Sequence, residues 1–447
     1  MPYTEIRGNS IRVKWWNGQY RLDTDGRPTR RKVYESASGP EDGVPFASED
    51  EAYNFGLDRE SDVRNGRHIK RSDGKMLMAD LCPAWLGLQD LAYDSIRAYR
   101  TAINAKILPH WKARAVGDIT VPEYDAWAKQ IRATCAPSYA KNILMVFSLI
   151  MDYAVSCGMR KTSPVVKIRR RGKYVPRKRE RKTDLDLAVV HRLALNANEL
   201  WGYTGYVFFL TIAFTGMRRA EIFGLRREYS SPTWPASDPR IDPDEEARYK
   251  ADMLRYGTGE GRMPALRVEY QHKYIDGVPT LAMPKYGSRR TIVLPPFLAQ
   301  MHEALLKSHD CEWTFPSVTG GPLLYAEWAG RYYGPIARGT EGRGGRFPLP
   351  AVPAVPEWLV PDGRGGVKPK RMHLLRHGHK EWLDEAGAAR VAVEARMGHE
   401  LPGIEGVYSH VTAVMEQRIM EVLQERWETF TAGLGTQWSP PSPIRLP

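Results

Sequence analysis

The sequence predicts a multidomain protein, mainly α-helical with small antiparallel β-sheets. At 447 residues it exceeds what one domain usually holds, about 100–200 residues. Apolar positions recur at helical spacing through much of its length, and a run of cations over residues 166–182 divides it. Hydrophobic residues make up 42% and charged residues 26%, enough apolar content to bury sizeable cores and too much for wholesale disorder.

Residues 1–67 read as a strand-rich module. Ile11–Trp16 and Gln19–Leu22 flank Asn17-Gly18, a pair suited to a tight hairpin turn, and a third strand is expected over Arg31–Glu35. Ser48-Glu-Asp-Glu51 then has the pattern of a capping box opening a helix that runs to Asn65-Gly66. Cations including Arg12, Lys14, Arg21 and Arg30 alternate with Trp15, Trp16 and Tyr20. Such a sheet suits a DNA groove, and equally a solvated face over a small aromatic core.

Residues 75–165 turn helical. Ile143, Val146, Phe147, Ile150 and Ala154 mark one face of a helix that Gly158 ends, and Tyr93–Ile107 and Val121–Ile131 read as further helices punctuated by Pro109 and Pro122. A compact bundle follows. In residues 167–182, ten of sixteen are Lys or Arg, among them Arg169, Arg170, Arg171, Lys173, Arg177 and Lys178. Like charge at that density cannot pack against itself, so the stretch is a solvated linker or a strap crossing a polyanion, and its place between two folded regions favours the strap.

From 183 to 430 the pattern mixes helices (Leu185–Ala197, Tyr206–Phe214, Arg219–Leu225, His373–Ala386) with strands at Arg267–Tyr270 and Arg289–Leu294. Ser230–Pro264 and Gly339–Lys370 lack either period and read as surface insertions. A final helix is expected over Ala413–Thr431, its Ile419, Val422, Leu423 and Trp427 facing a neighbouring subunit or its own domain. Docking on a neighbour predicts that deleting residues 413–447 leaves a folded core. The Pro- and Ser-containing tail, 431–447, is expected to be flexible.

No apolar run reaches the about 18–20 residues a membrane helix needs, and the first residues lack a signal core, so a cytoplasmic protein without membrane contact is expected. Cys82, Cys135, Cys157 and Cys311 are far apart, without metal-ligand spacing; they read as buried small hydrophobes, with neither disulfides nor zinc. Net charge is +13, which suits solubility or a polyanionic partner.

Charged and nucleophilic groups gather in short segments of the last region. Arg218 follows a Gly turn in Thr215-Gly-Met-Arg218, and Glu221 lies three residues on, placed to hold its guanidinium. Lys285 precedes Ser-Arg-Arg-Thr-Ile at an expected hairpin tip, where other cations would ease its loss of a proton. His373 and Arg376 stand at i and i+3 on one helix face, with Leu374 and Leu375 turned toward a core. His373 and His377 alone lack the third ligand and general base of a helical zinc motif. His399 and Tyr408 follow, nine residues apart.

In this order the motifs resemble those of the tyrosine recombinase, or phage integrase, family: Thr215-Gly-Met-Arg218-x-x-Glu221, Lys285 ahead of Ser-Arg-Arg-Thr-Ile, His373-x-x-Arg376-His with Glu385-Ala-Gly387, Met397-Gly-His399, and Tyr408-Ser-His-Val411. The resemblance covers residues 183–425. It implies an arm-type DNA-binding module (1–67), a helical SAM-like core-binding domain (75–165), a basic linker (166–182) and a mixed α+β catalytic domain (183–430). It also implies that Tyr408 attacks a scissile phosphate to form a 3′-phosphotyrosyl bond, while Arg218 and Arg376 clamp the nonbridging oxygens and His399 donates a further hydrogen bond. Lys285 would protonate the leaving 5′ oxygen, His373 would act as general base or support the phosphate, and no metal or cofactor is called for. The partners implied are double-stranded attachment-site DNA and three further copies of the chain in a tetramer acting through a Holliday junction, with room for accessory bending or directionality factors, in the nucleoid of a bacterial host.

Two readings compete: a catalytically silent DNA-binding protein on the same fold, and a type IB topoisomerase-like relaxing enzyme. Met217 and Met397 replace commoner leucines, a near-neutral exchange in packing. The segment from His399 to Tyr408 lacks the Ser/Thr-rich character usual before the tyrosine, which bears on its path more than on the nucleophile.

Overall fold

The computed structural model describes residues 1–8, 10–40, 44–65, 74–166, 185–236, 246–345, 349–399 and 410–443. The chain divides into two units, Met1–Val175 and Pro176–Pro447.

The first unit has two separate cores. Strands β1 (Tyr3–Arg7), β2 (Ser10–Leu22) and β3 (Pro28–Ala37) form an antiparallel sheet in the order β1-β2-β3. Val13 and Trp15 face inward onto helix α1 (Glu49–Arg64), Trp15 meeting Phe55 edge-on at 5.9 Å. The expected turn at Asn17-Gly18 is instead a bulge inside β2. The Asn17 side chain accepts from the Gln19 amide, Gly18 takes φ +88°, and pairing resumes at Tyr20↔Lys32. Satisfied locally, Asn17-Gly18 need not reverse the chain. The reversal falls at Asp23–Arg27, where Asp23 Oδ1 accepts from the amides of Asp25 and Arg27. Ser48 caps α1 as expected, accepting from Glu51 N, although the Glu51 carboxylate reaches back to Ala47 N.

The helical core of this unit comprises α2 (Met78–Gly87), α3 (Tyr93–Ala102), α4 (Val121–Thr134) and α5 (Pro137–Ser156) around Trp85, Trp111, Trp127 and Phe147. Pro109 does not end the helical run. A π turn over Ile103–Ile107 precedes it and helix resumes through Trp111, so that Ile107 and Trp111 both reach the core. Cys82 is buried, its thiol pushed up to about 12 by burial, but Cys157 is exposed and Cys135 and Cys311 are half-buried. The four cysteines are therefore not uniformly interior.

The second unit is built around α7 (Tyr203–Thr215), buried on every side and packed against α6 (Leu187–Trp201). The short α8 (Arg219–Phe223) follows, and α9 (Glu246–Arg255) lies in the insertion. Strand β4 (Ala265–Val268) pairs antiparallel with β7 (Arg290–Val293), while β5 (Gln271–Ile275) and β6 (Val278–Ala282) form a hairpin between them. Then come α10 (Pro296–Ser308), α11 (His373–Glu385), α12 (Arg390–Met397) and α13 (Ala413–Ala432).

Neither insertion is confined to the surface. Trp234, Tyr256 and Met263 of the first, and Val355 and Trp358 of the second, belong to the main core, and Asn196 donates to Ile336 O and Pro353 O at its edge. Low periodicity reflected irregular backbone rather than exposure, because isolated large side chains carry the burial.

Helix α13 packs on its own chain, with Ile419, Val422, Leu423 and Trp427 in the main core and Trp427 stacked on Phe297 at 4.5 Å. Its apolar face is thus spent within the unit, the second of the two arrangements the sequence allowed, and a chain lacking residues 413–447 would expose that part of the core. The tail is not wholly free either: Trp438 packs against His191 and Trp427. Trp427→Ala should cost about 3–5 kcal/mol in denaturant unfolding of the second unit. A loss below about 1 kcal/mol would contradict this packing.

Candidate active site

The site begins with the end of α7. Gly216 adopts φ +65°, and a Cβ there would lie 2.6 Å from the His379 ring. Only glycine lets the chain leave the helix so closely against α11. This turn presents Gly216 O to Arg376 Nη1 at 2.5 Å and places Arg218 at the start of α8.

Arg218 is held on three sides. Its Nη1 donates to Glu221 Oε1 at 2.8 Å and to Ser288 Oγ at 3.2 Å, and its Nη2 donates to Gly398 O at 3.1 Å. Glu221 is fully buried and also receives both Nη atoms of Arg290, at 3.1 and 2.8 Å. Burial pushes its carboxyl pKa up, but Arg290 and Arg218 outweigh that and hold it below the usual carboxylate value. The Arg218–Glu221 pair is therefore no exposed surface bridge. It is one half of a buried carboxylate gripping two guanidiniums.

Arg376 on α11 is 2% exposed and donates to Gly216 O, Met397 O and His399 Nε2, the last at 3.0 Å. Burial first, and then Arg218 and Arg290, lower its pKa to about 9, so it stays charged at neutral pH. His399 is exposed. Its Nδ1 donates to Glu394 Oε2 at 2.7 Å, which leaves Nε2 facing Arg376, and Lys380 binds the other Glu394 oxygen. Arg218, Arg376 and His399, from positions up to 181 residues apart, thus converge as the sequence motifs predict.

His373 opens α11, exposed, its ring 4.7 Å from that of His377. Desolvation first, then the nearby charges of His377, Arg376, Arg218 and His399, lower its pKa to about 4. At neutral pH the imidazole is uncharged and able to accept a proton. The rate of any reaction needing it as base, measured at sub-saturating substrate, should stay flat down to about pH 5 and fall below that. An acid limb centred near pH 6.5 would contradict this.

Lys285 departs from its expected place. It sits not at a hairpin tip but in a turn between β6 and β7, since the tip of the β5–β6 hairpin is Asp276-Gly277. Its Nζ lies 4.8 Å over the Tyr286 ring, exposed, while Tyr286, Gly287 and Ser288 line a cavity of about 630 Å³ with Arg218, Arg290 and His399. Arg218 also lines a groove of about 590 Å³, with Arg219, Arg338, Lys370, Arg371 and His373 among its walls.

Sequence reasoning passed over Arg290, Glu394 and Arg396. Arg290 lies inside the quoted Ser-Arg-Arg-Thr-Ile stretch, but only the fold shows it sharing Glu221. Buried Arg396 donates to His379 Nε2, Val293 O and Phe214 O, tying α11, β7 and α7 together behind the site.

Among the other expected residues, Arg12, Arg21 and Arg30 are exposed on the N-terminal sheet, and Lys14 is paired with Glu5. Lys32 lies 5.0 Å over Trp16 and Tyr3 meets Tyr34 edge-on, so cations and aromatics do interleave on that face. Tyr408 and the cations Arg169, Arg170, Arg171, Lys173, Arg177 and Lys178 lie outside the described residues. Among the described residues no helix is long and apolar enough to cross a membrane, and no three His, Cys, Asp or Glu side chains are grouped to hold a metal ion.

No family model and no curated protein matches the chain. Solved structures do. Residues 82–397 of the Tn1549 transposon integrase, in complex with a circular intermediate DNA, align over 77% of this chain and 99% of that one at 14% identity and TM-score 0.52. The same integrase bound to transposon right end DNA gives the same TM-score and coverage. A lambda integrase tetramer bound to a Holliday junction aligns over 92% of this chain and 94% of its own at TM-score 0.45. The chain has the fold of the Tn1549 integrase.

Proposed function

We propose that this protein is a site-specific DNA recombinase of the tyrosine type, an integrase that cuts and rejoins DNA through a 3′-phosphotyrosyl intermediate. One observation carries the reading: Arg218, Arg376 and His399 meet in a single constellation braced by buried Glu221. The chemistry needs that arrangement. Among the described residues each of the two guanidiniums gives three hydrogen bonds to the protein, which leaves two of its five donors for a phosphate. Because these cations are fixed before substrate arrives, they stabilise charge on the phosphorane without reorganising.

Tyr408 is the nucleophile in this reading. Its oxygen bonds to phosphorus, the bond to the 5′ oxygen breaks, the tyrosine proton passes to neutral His373, and Lys285 protonates the departing oxygen. Lys285 must swing from Tyr286 to do so. The 5′-hydroxyl of a partner strand then reverses the sequence, and no net phosphodiester energy is lost. The full assembly is a tetramer on two duplexes, two subunits active at a time, like the lambda integrase tetramer on a Holliday junction. The N-terminal sheet and the 167–182 strap supply affinity, the strap by crossing phosphates.

The direct test uses a duplex carrying the attachment sequence next to the gene, nicked near the scissile position so that cleavage is trapped. Wild type should give a detergent-resistant adduct and Tyr408→Phe none. An adduct with the phenylalanine variant would remove Tyr408 from its role, and DNA binding without an adduct by either protein would favour the silent reading. Replacing Arg169, Arg170, Arg171 and Lys173 by glutamine should shallow the slope of log affinity against log salt by about 3–4, at about 0.9 for each phosphate left without its cation. An unchanged slope would take the strap off the DNA.

A further inference from the structure

The Ser230–Pro264 insertion has no part in the chemistry above, yet the end of its helix α9 grips the chain at Val411, three positions after Tyr408. At the end of α9, Arg255 Nη2 donates to Val411 O at 3.2 Å, and Arg255 Nε pairs with Glu416 Oε2 at 3.1 Å. Tyr256 Oη donates to the same carboxylate, 2.9 Å from Oε1. Glu416 stands in the first turn of α13, directly after the cap at Thr412. The insertion is also moored elsewhere: Asp252 pairs with Arg267 of β4 at 2.7 Å, and the Tyr256 ring lies 5.7 Å from that of fully buried Trp234.

We propose that Arg255 and Tyr256 are positioning residues, and that the insertion is a latch setting the register of the chain that carries the nucleophile. This rests on the reading of Tyr408 as that nucleophile. Val411 stands three positions after Tyr408, a tether of about 11 Å at full extension, so fixing the Val411 carbonyl bounds where the tyrosine oxygen can go. The latch touches the backbone at this junction rather than only packing on the face of α13. A cavity of about 260 Å³ is lined by Arg255, Tyr256, Val411 and Glu416 together with Arg290 and Arg396. The residues that hold the tyrosine's tether therefore border those that brace the phosphate-binding guanidiniums. In-line attack demands that both be correctly placed, and a misplacement of about 1 Å lowers such a rate by about 100-fold.

The test uses the full-length protein with the nicked attachment-site duplex under single-turnover conditions, together with DNA affinity, thermal unfolding and backbone amide exchange of the DNA-free protein. Arg255→Ala should lower the cleavage rate constant at saturating protein by about 10- to 100-fold, with DNA affinity within about twofold of wild type and the protein still fully folded at the assay temperature. Amides of residues 411–416 should exchange faster in this variant while those of α7 do not. Arg255→Lys keeps the charge beside Glu416 and should recover a substantial part of the rate.

Cleavage by Arg255→Ala within twofold of wild type would overturn the latch. So would a loss of rate that follows a lowered unfolding midpoint and is not rescued by lysine, since that is the behaviour of a structural brace. If wild type itself forms no adduct, the tyrosine reading falls and the latch with it. A wild-type adduct beside an unimpaired Arg255→Ala removes the latch alone.

Discussion

Arg376→Lys should lower the single-turnover rate of adduct formation by about 100- to 1,000-fold while DNA affinity falls much less. Removing one preorganised donor from a charge-stabilising site has an effect of about that size. Lysine keeps the positive charge, so the contrast isolates geometry: a point charge cannot serve Gly216 O, Met397 O, His399 and a phosphate together, as the planar guanidinium can. The residue is also placed at some expense to the fold, since burial lowers its pKa to about 9. A cleavage rate within about tenfold of wild type would sink the assignment. A parallel collapse in DNA affinity would recast Arg376 as a binding residue.

Glu221→Gln should be the most damaging single change to stability in the site. The carboxylate is fully buried and holds Arg218 and Arg290 at once, so its neutral isostere leaves two partly buried guanidiniums without their counter-charge. Breaking a buried pair from one side costs about 3–5 kcal/mol, measurable as a lowered denaturant midpoint. Adding Arg290→Met should recover part of that stability by removing one orphaned charge, without restoring cleavage, because Arg218 still lacks its holder. Destabilisation below about 1 kcal/mol would show that water reaches the pair. Recovery of cleavage in the double variant would show that Glu221 does not position Arg218.

Legibility in the sequence followed the range of the interaction concerned. Where the determinant was local, the reading and the fold agree: Ser48 caps its helix, Ile143 to Ala154 line the buried face of α5, and α13 starts and stops within a residue of expectation. Local signals failed where a neighbour could override them. Asn17-Gly18 has the chemistry of a tight turn, but a long partner strand and an internal side-chain bond make it a bulge. The apolar stripe on α13 was equally suited to a neighbouring subunit, and nothing in its own stretch of chain could say that Phe297 lay opposite.

The sequence by itself determined which residue types stand at Arg218, Glu221, His373, Arg376 and His399, and that a glycine turn, a helix face and a Met-Gly-His segment present them. Order and spacing along the chain were enough, because each motif builds its own short piece of backbone. Only the tertiary structure decided that Glu221 serves two arginines, that Glu394 orients His399, that Lys285 rests on Tyr286, and that an insertion of irregular backbone reaches Val411. These are contacts that side chains make with groups up to 156 residues away in sequence. Their partners are chosen by packing and by the need to pair every buried charge, for which no local pattern exists.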